Sequence, residues 1–257
     1  MWEPFGNIIE LDLQSFDDVE IYFNALKIRK TTLEGEIPDI TNLDFVNIDE
    51  IRKFKTAKRA EEHAAGRYLL YQMLLRYFPL LEGHLLEILR DANRAPYLKW
   101  IKGTYNNTSL PNFSISTSGD YVIVAICNSQ YNVGIDLEKL NVKRSENLFD
   151  FLSIGSELNY LKTLYNINGD KEINKLWTAK ESILKALRVG MSISPTKIKV
   201  IGEDLNYKQI IEYKELDLNL KTQILVLNEK YCFSLAYGKI GQQKYSQMRI
   251  AGIEPTT

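Results

Sequence analysis

Helical periodicity gives way to strand alternation twice along this chain of 257 residues, and that order restricts the fold more than any other feature. From Asp49 to Phe78 the residues are good helix formers. Ala60, Ala64, Leu69, Leu70, Met73, Leu74 and Tyr77 recur at near-helical spacing, so the stretch predicts one long helix or two abutting ones. Pro79 and Gly83 punctuate its end. A short apolar segment, 85–89, follows, and 91–111 reads as loop on its prolines, glycine and asparagines. Next come three short strand patterns, Phe113–Ser116, Tyr121–Cys127 and Tyr131–Leu137, separated by Ser118-Gly119-Asp120 and Asn128–Gln130. Tight turns between short strands predict an antiparallel meander.

The second cycle opens with SIGSELNYLKTLY, where small polar residues precede Glu157 as a helix N-cap. EINKLWTAKESILKALRVG is the strongest helical pattern, with Leu176, Ile183, Leu184 and Leu187 on one stripe and Gly190 as its stop. Ile198–Ile201, Leu218–Leu227 and Tyr231–Tyr237 read as strands. Helices and strands segregated in this way predict an α+β fold in two halves, residues 1–132 and 133–240. The last residues, 241–257, lack apolar periodicity and are expected to fray. The first forty residues are mixed, with apolar runs at Ile8–Leu13 and Val19–Leu26.

Several function classes are excluded early. A net charge of −1 argues against a general nucleic-acid binder. No run approaches the roughly 18 apolar residues of a membrane span. The opening MWEPFGNIIELDL has no basic region of a signal peptide, so the expected location is cytoplasmic. Two cysteines, Cys127 and Cys232, cannot form a disulfide framework or a cysteine-rich zinc site, and are expected to be buried free thiols.

Four stretches carry candidate chemistry. In Gly134-Ile135-Asp136-Leu137-Glu138, strand alternation sends Ile135 and Leu137 to the core and Asp136 and Glu138 together to the opposite face. Two like charges at that spacing repel, and a hard divalent cation such as magnesium would relieve them. The plainer alternative is a solvent-facing strand side. In Trp177-Thr178-Ala179-Lys180-Glu181-Ser182-Ile183-Leu184-Lys185, helical spacing gathers Trp177, Lys180, Glu181 and Leu184, with Glu181 one turn before Lys185. Such a face could serve a metal-bound phosphate or be an ordinary surface pair. Residues Asn112–Gly119 place hydroxyls and turn amides where phosphate oxygens could be held, or form a serine-rich turn. Finally, Arg59 and Arg67 (in Lys58-Arg59 and Ala65-Gly66-Arg67) are eight residues apart, so both could share one helix side and grip phosphate, or lie on a solvated face.

Taken together and in this order, these pieces resemble the 4′-phosphopantetheinyl transferase family, in its surfactin-type or enterobactin-type branch. The resemblance rests on GIDLE at Gly134–Glu138 and on W-x-x-K-E-x-x-x-K at Trp177–Lys185. From Glu138 to Glu181 is 43 positions. Ser116–Gly119 and Ala65-Gly66-Arg67 match two upstream motifs, and the likeness spans roughly residues 50 to 240.

It implies transfer of phosphopantetheine from coenzyme A to a serine of an acyl or peptidyl carrier protein, with release of 3′,5′-ADP. It also implies two pseudo-symmetric halves, each a small antiparallel sheet packed with helices, with coenzyme A in the cleft between them, and a monomer. Asp136, Glu138 and Glu181 would hold Mg2+ on the diphosphate. Glu181 is also the implied base for the serine proton, and Lys185 would neutralise a phosphate. Lys180 would help bind coenzyme A or pair with an acid, and Trp177 would pack the helix onto the sheet. Arg59 and Arg67 are candidates for the 3′-phosphate.

Two departures stand out. Thr117, next to Ser116, replaces the family's common histidine at a phosphate-contact position. Arg94-Ala95-Pro96 stands where the family often has G-K-P, so Arg94 is the candidate replacement for the missing lysine. His63 and His84 fall outside the motifs. Between Lys139 and Val200 the chain carries 11 Lys and Arg against 6 Asp and Glu, a balance suited to steering an acidic carrier protein. Two other readings stay open: a module that binds coenzyme A or a carrier without transfer, and another magnesium-dependent phosphate enzyme.

Overall fold

The computed structural model describes residues 8–10, 19–28, 44–104, 108–145, 147–213 and 218–239. Its described elements are α+β, with antiparallel sheets and helices. The chain divides into two compact units, one of Met1–Leu89 with Pro96–Asn128, the other of Arg90–Ala95 with Ser129–Thr257. The segment 241–257, expected to fray, lies outside the described residues.

The first unit contains β1 (Ile8–Glu10), β2 (Ile21–Lys27), α1 (Ile48–Ile51), α2 (Ala57–Tyr77), β3 (Leu86–Arg90), β4 (Pro96–Trp100), β5 (Asn112–Ser118) and β6 (Tyr121–Cys127). The long helical pattern is two helices: α1 ends early, and Thr56 restarts the chain by accepting a hydrogen bond from the Arg59 amide at 3.2 Å. The four-stranded sheet runs β1-β2-β6-β5, all antiparallel. Ala64, Ala65, Leu69, Leu70, Met73 and Leu74 of α2 bury against Leu26, Phe113, Val122, Val124 and Ile126 of that sheet. Gly66 belongs to this contact, since a Cβ there would stand 3.0 Å from Ile115 Cγ2.

Part of the expected loop 91–111 is a strand instead. β4 pairs with β3 in a two-stranded ribbon. Pro96 opens β4, a position where its missing N–H is tolerated, and buried Leu98 and Trp100 alternate with exposed Lys99.

The second unit contains β7 (Tyr131–Lys139), α3 (Asn147–Leu152), α4 (Gly155–Asn168), α5 (Asp170–Leu187), β8 (Ile210–Tyr213), β9 (Leu218–Leu227) and β10 (Tyr231–Lys239). Its sheet runs β7-β10-β9-β8, also antiparallel. The expected three-strand meander is therefore only a β5–β6 hairpin. β7 pairs along its whole length with β10, from Tyr131↔Lys239 to Lys139↔Tyr231. Turn residues at 128–130 specify a change of direction, not the sheet that receives the next strand.

The expected strand Ile198–Ile201 is reduced to one bridge between Ile201 and Tyr207, and β8 takes its place in the sheet. On α5 the stripe of Leu176, Ile183, Leu184 and Leu187 is buried with Leu152, Leu161, Ile173, Val200, Leu220 and Ala236. Two helix ends differ from expectation. Ile154, without a side-chain cap bond, precedes α4. Arg188 in the left-handed conformation, not Gly190, ends α5. Asp91 holds the Arg188 guanidinium at 3.1 Å, and Asn93 donates to its carbonyl at 3.1 Å, which offsets the cost of that backbone for a residue with a Cβ.

Candidate active site

β7 and α5 meet in the second unit, and Gly134 decides how closely. A Cβ built on it would lie 2.0 Å from the Ser182 carbonyl oxygen and 2.3 Å from the Ala186 amide nitrogen. Only glycine allows the helix backbone to rest on the strand there. Ser182 and Ser234 Oγ, 2.8 Å apart, tie the same helix to β10. Residues two apart on a strand share a face, so Gly134 turns Asp136 and Glu138 toward the α5 side as well. The acidic pair is thus not a solvent-facing strand side: Asp136 is 5% exposed.

The face it meets carries Glu181 and Lys185. Lys185 Nζ donates to Asp136 Oδ1 at 2.7 Å and to the Ile135 carbonyl at 3.0 Å. Arg144 Nη2 donates to Glu138 Oε2 at 3.0 Å. Burial pushes the Glu181 carboxyl above the usual carboxylate range. Lys185 pulls it back, while Asp136 and Glu138 push it further up. Burial likewise raises Glu138, aided by Asp136 and opposed by Arg144 and Lys185. Asp136, Glu138, Glu181 and Lys185 are therefore one electrostatically coupled group.

Among the described residues, no three acidic, histidine or cysteine side chains stand close enough to form a closed metal-ligand set. Lys185 and Arg144 each engage an oxygen of one carboxylate instead. The donor chemistry nevertheless suits a hard divalent ion: three carboxylates supply oxygen only, and their mutual repulsion would be relieved by added positive charge.

Lys180, expected to help bind coenzyme A, takes another post. It is 1% exposed, and its ammonium reaches Glu157 Oε2 at 2.6 Å and the carbonyls of Leu152 at 2.6 Å and Pro195 at 3.1 Å. Its three protons meet three internal acceptors. Burial lowers the Lys180 pKa, and Glu157 opposes that shift. Glu157 also accepts from the amides of Val200 and Ile201. Glu157 is thus a buried clamp between α4, α5 and the 195–201 segment.

Arg94 lies on the β3–β4 turn, whose residues 90–95 group with the second unit. Its side chain is exposed, and its carbonyl accepts from Arg90 at 3.2 Å. The first unit holds the remaining candidates. Ser116 is buried on β5, and Thr117 beside it is half-buried. Arg59 is exposed and paired with Glu62 at 3.0 Å, whereas Arg67 is buried beside His63 and Glu50. The two arginines do not share a helix side, because eight residues at 100° each leave them about 80° apart. His84 is exposed near Glu82. Trp177 packs on the core of its unit, as expected, and also faces Arg144, whose guanidinium carbon stands 5.8 Å from its ring centre.

Sequence reasoning missed Glu157 as a buried partner, and Arg144 with Asn174. The loop KLNVKRSEN gives no periodic signal for Arg144. A hint existed in Asn174, three residues before Trp177 on a helix.

The fold and this cluster define a class of α+β protein whose charged centre is assembled from one strand and one helix. Residues 132–236 match the sequence profile of the 4′-phosphopantetheinyl transferase superfamily. It is 27% identical over 179 residues to the L-aminoadipate-semialdehyde dehydrogenase-phosphopantetheinyl transferase of Pongo abelii, and 26% identical over 179 residues to the protein of that name from Homo sapiens. Each alignment covers 67% of this chain and 57% of the relative. It is 29% identical over 157 residues to the 4′-phosphopantetheinyl transferase gsp of Aneurinibacillus migulanus, covering 59% of both chains. The chain thus spans little more than half the length of these three relatives. No helix among the described residues is long and apolar enough to cross a membrane.

Proposed function

We propose that this protein transfers 4′-phosphopantetheine from coenzyme A to a serine hydroxyl of an apo acyl or peptidyl carrier protein, releasing 3′,5′-ADP. The observation that carries the reading is the coupling of Asp136, Glu138, Glu181 and Lys185 in one group on β7 and α5, within the stretch that matches the superfamily. The names of the relatives support the same activity.

Asp136, Glu138 and Glu181 would hold Mg2+, which when bound supplies charge against the diphosphate oxygens. Lys185, paired with Asp136 at 2.7 Å, would turn its ammonium to a phosphate oxygen. Glu181 would also take the proton of the serine hydroxyl, a role that rests on the family resemblance. Arg59, Arg67, Arg94, Ser116 and Thr117 belong to the proposal as coenzyme A contacts on the family resemblance. Pseudo-symmetry of the two halves, a monomeric state and a cytoplasmic location belong to it as well. Each unit having a four-stranded antiparallel sheet and a long helix supports the pseudo-symmetry.

A second reading, a module that binds coenzyme A or a carrier without transfer, is favoured by Thr117 and Ala95 at two phosphate-contact positions. One assay separates them. The protein is incubated with coenzyme A, Mg2+ and a panel of apo carrier proteins, and intact masses are read. Gain of a phosphopantetheine on a carrier is the expected result. Tight coenzyme A binding without any modified carrier favours the module, and release of an ADP-type product without a carrier favours a hydrolase.

A further inference from the structure

Arg144 is built into its place. Its Nε donates to Asn174 Oδ1 at 2.7 Å, and its guanidinium lies over the Trp177 ring at 5.8 Å. Asn174 is fully buried, and its amide nitrogen reaches the carbonyls of Leu140 at 3.0 Å, Val142 at 2.8 Å and Asp170 at 2.9 Å. The loop that follows β7 is thereby fastened to α5, and Arg144 with it. Asn174, Trp177, Glu181 and Lys185 stand three, four and four residues apart, which puts them on one stripe of the helix. The cradle that orients Arg144 and the group proposed to handle the diphosphate therefore share one surface of α5.

We propose that Arg144 is a diphosphate-binding residue of this site, acting beside Lys185, an inference that rests on the proposed transfer from coenzyme A. The ion pair with Glu138 is only one of its three holds. Those to Asn174 and Trp177 do not depend on Glu138. If Glu138 turns to a divalent cation, the guanidinium stays where it is, with its carboxylate partner released. A planar, permanently charged fork fixed on one edge and one face is suited to two oxygens of a phosphate. Charge balance points the same way. Three carboxylates, one divalent cation, Lys185 and Arg144 leave one positive charge against the two negative charges of the diphosphate. Without Arg144 the positive charge disappears.

Isothermal titration in the presence of Mg2+ tests this, using coenzyme A and dephospho-coenzyme A as probes. Both keep the diphosphate, and only the first carries a 3′-phosphate. Arg144→Gln should weaken both about equally, by about 10- to 100-fold, the range of a lost charge-assisted hydrogen bond. Arg144→Lys keeps the charge but not the fork, and should recover only part of the loss. Wild-type affinity for both probes in either variant overturns the assignment, so the lysine variant decides should the glutamine variant misfold. Weakened binding of coenzyme A alone also overturns it, by moving Arg144 to the 3′-phosphate. A wild-type protein that binds neither probe sinks the transferase reading itself, and this inference with it.

Discussion

Gly134 and Ser182 meet backbone to backbone: a Cβ on Gly134 would stand 2.0 Å from the Ser182 carbonyl oxygen. That contact sets the height of α5 above β7, and with it the separation of Glu181 and Lys185 from Asp136 and Glu138. Neither backbone can yield without disturbing the β7–β10 ladder or the helix. Gly134→Ala should therefore cost about 3 kcal/mol or more, as in other overpacked cores. Chemical denaturation checks it. A midpoint equal to wild type would mean that the helix rides higher than described.

Lys180 and Glu157 form a pair in which each side chain is almost wholly buried. Removing one partner leaves the other charge without compensation in a dry interior. Lys180→Met should destabilise by about 3–5 kcal/mol. The double variant Lys180→Met with Glu157→Leu should be less damaging than the two single changes combined. Thermal or urea unfolding of all four proteins closes the cycle, and strict additivity would contradict a direct pair.

Glu181 is expected to separate chemistry from folding. Its ionised form is disfavoured by burial and by two neighbouring carboxylates. Glu181→Gln keeps the shape and removes that repulsion, so the melting temperature should hold or rise. Transfer to a carrier protein should fall by about 100-fold or more. A variant as active as wild type would remove Glu181 from the proposed mechanism.

Mg2+ alone should stabilise the protein, since an ion bound by the folded state and not by the unfolded chain shifts the equilibrium by mass action. A rise in melting temperature with millimolar Mg2+ is the expected readout, and Mn2+ should act similarly because it accepts the same oxygen ligands. The shift should shrink in Glu138→Gln. Equal shifts in wild type and variant would mean that the ion binds elsewhere.

The two thiols predict behaviour in alkali. Burial pushes both Cys127 and Cys232 up to about 12, from an ordinary value of 9.0. An unfolded chain loses these protons near 9.0, before the folded chain does. The stability tied to the thiols is therefore complete below pH 9 and is lost as pH rises toward 12. Cys127→Ala and Cys232→Ala should each flatten the fall in stability across that window, measured by denaturant titration at successive pH values. Unchanged slopes would show that other groups govern the alkaline limit.

Local patterns in the sequence were enough for much of the fold. The stripe of Leu176, Ile183, Leu184 and Leu187 marked the principal helix, and Tyr121–Cys127 and Tyr231–Tyr237 marked strands, because side-chain period is a property of neighbouring residues. The paired motifs at Gly134–Glu138 and Trp177–Lys185 were legible as a site only together, through their resemblance to a known family. What sequence could not settle was partnership across distance. Nothing near Tyr131 says that β7 joins β10 and not β6. Nothing near Lys180 says that its ammonium enters the core to meet Glu157, while Lys185, five residues on, stays at the edge beside Asp136. The loop 140–145 carries no period at all, so only the packed chain shows Arg144 held by Asn174 and Trp177. Periodicity tells which face of a strand or helix is apolar. Which charge will lie opposite another is fixed by long-range packing, where the desolvation of each group is set against the partner it finds.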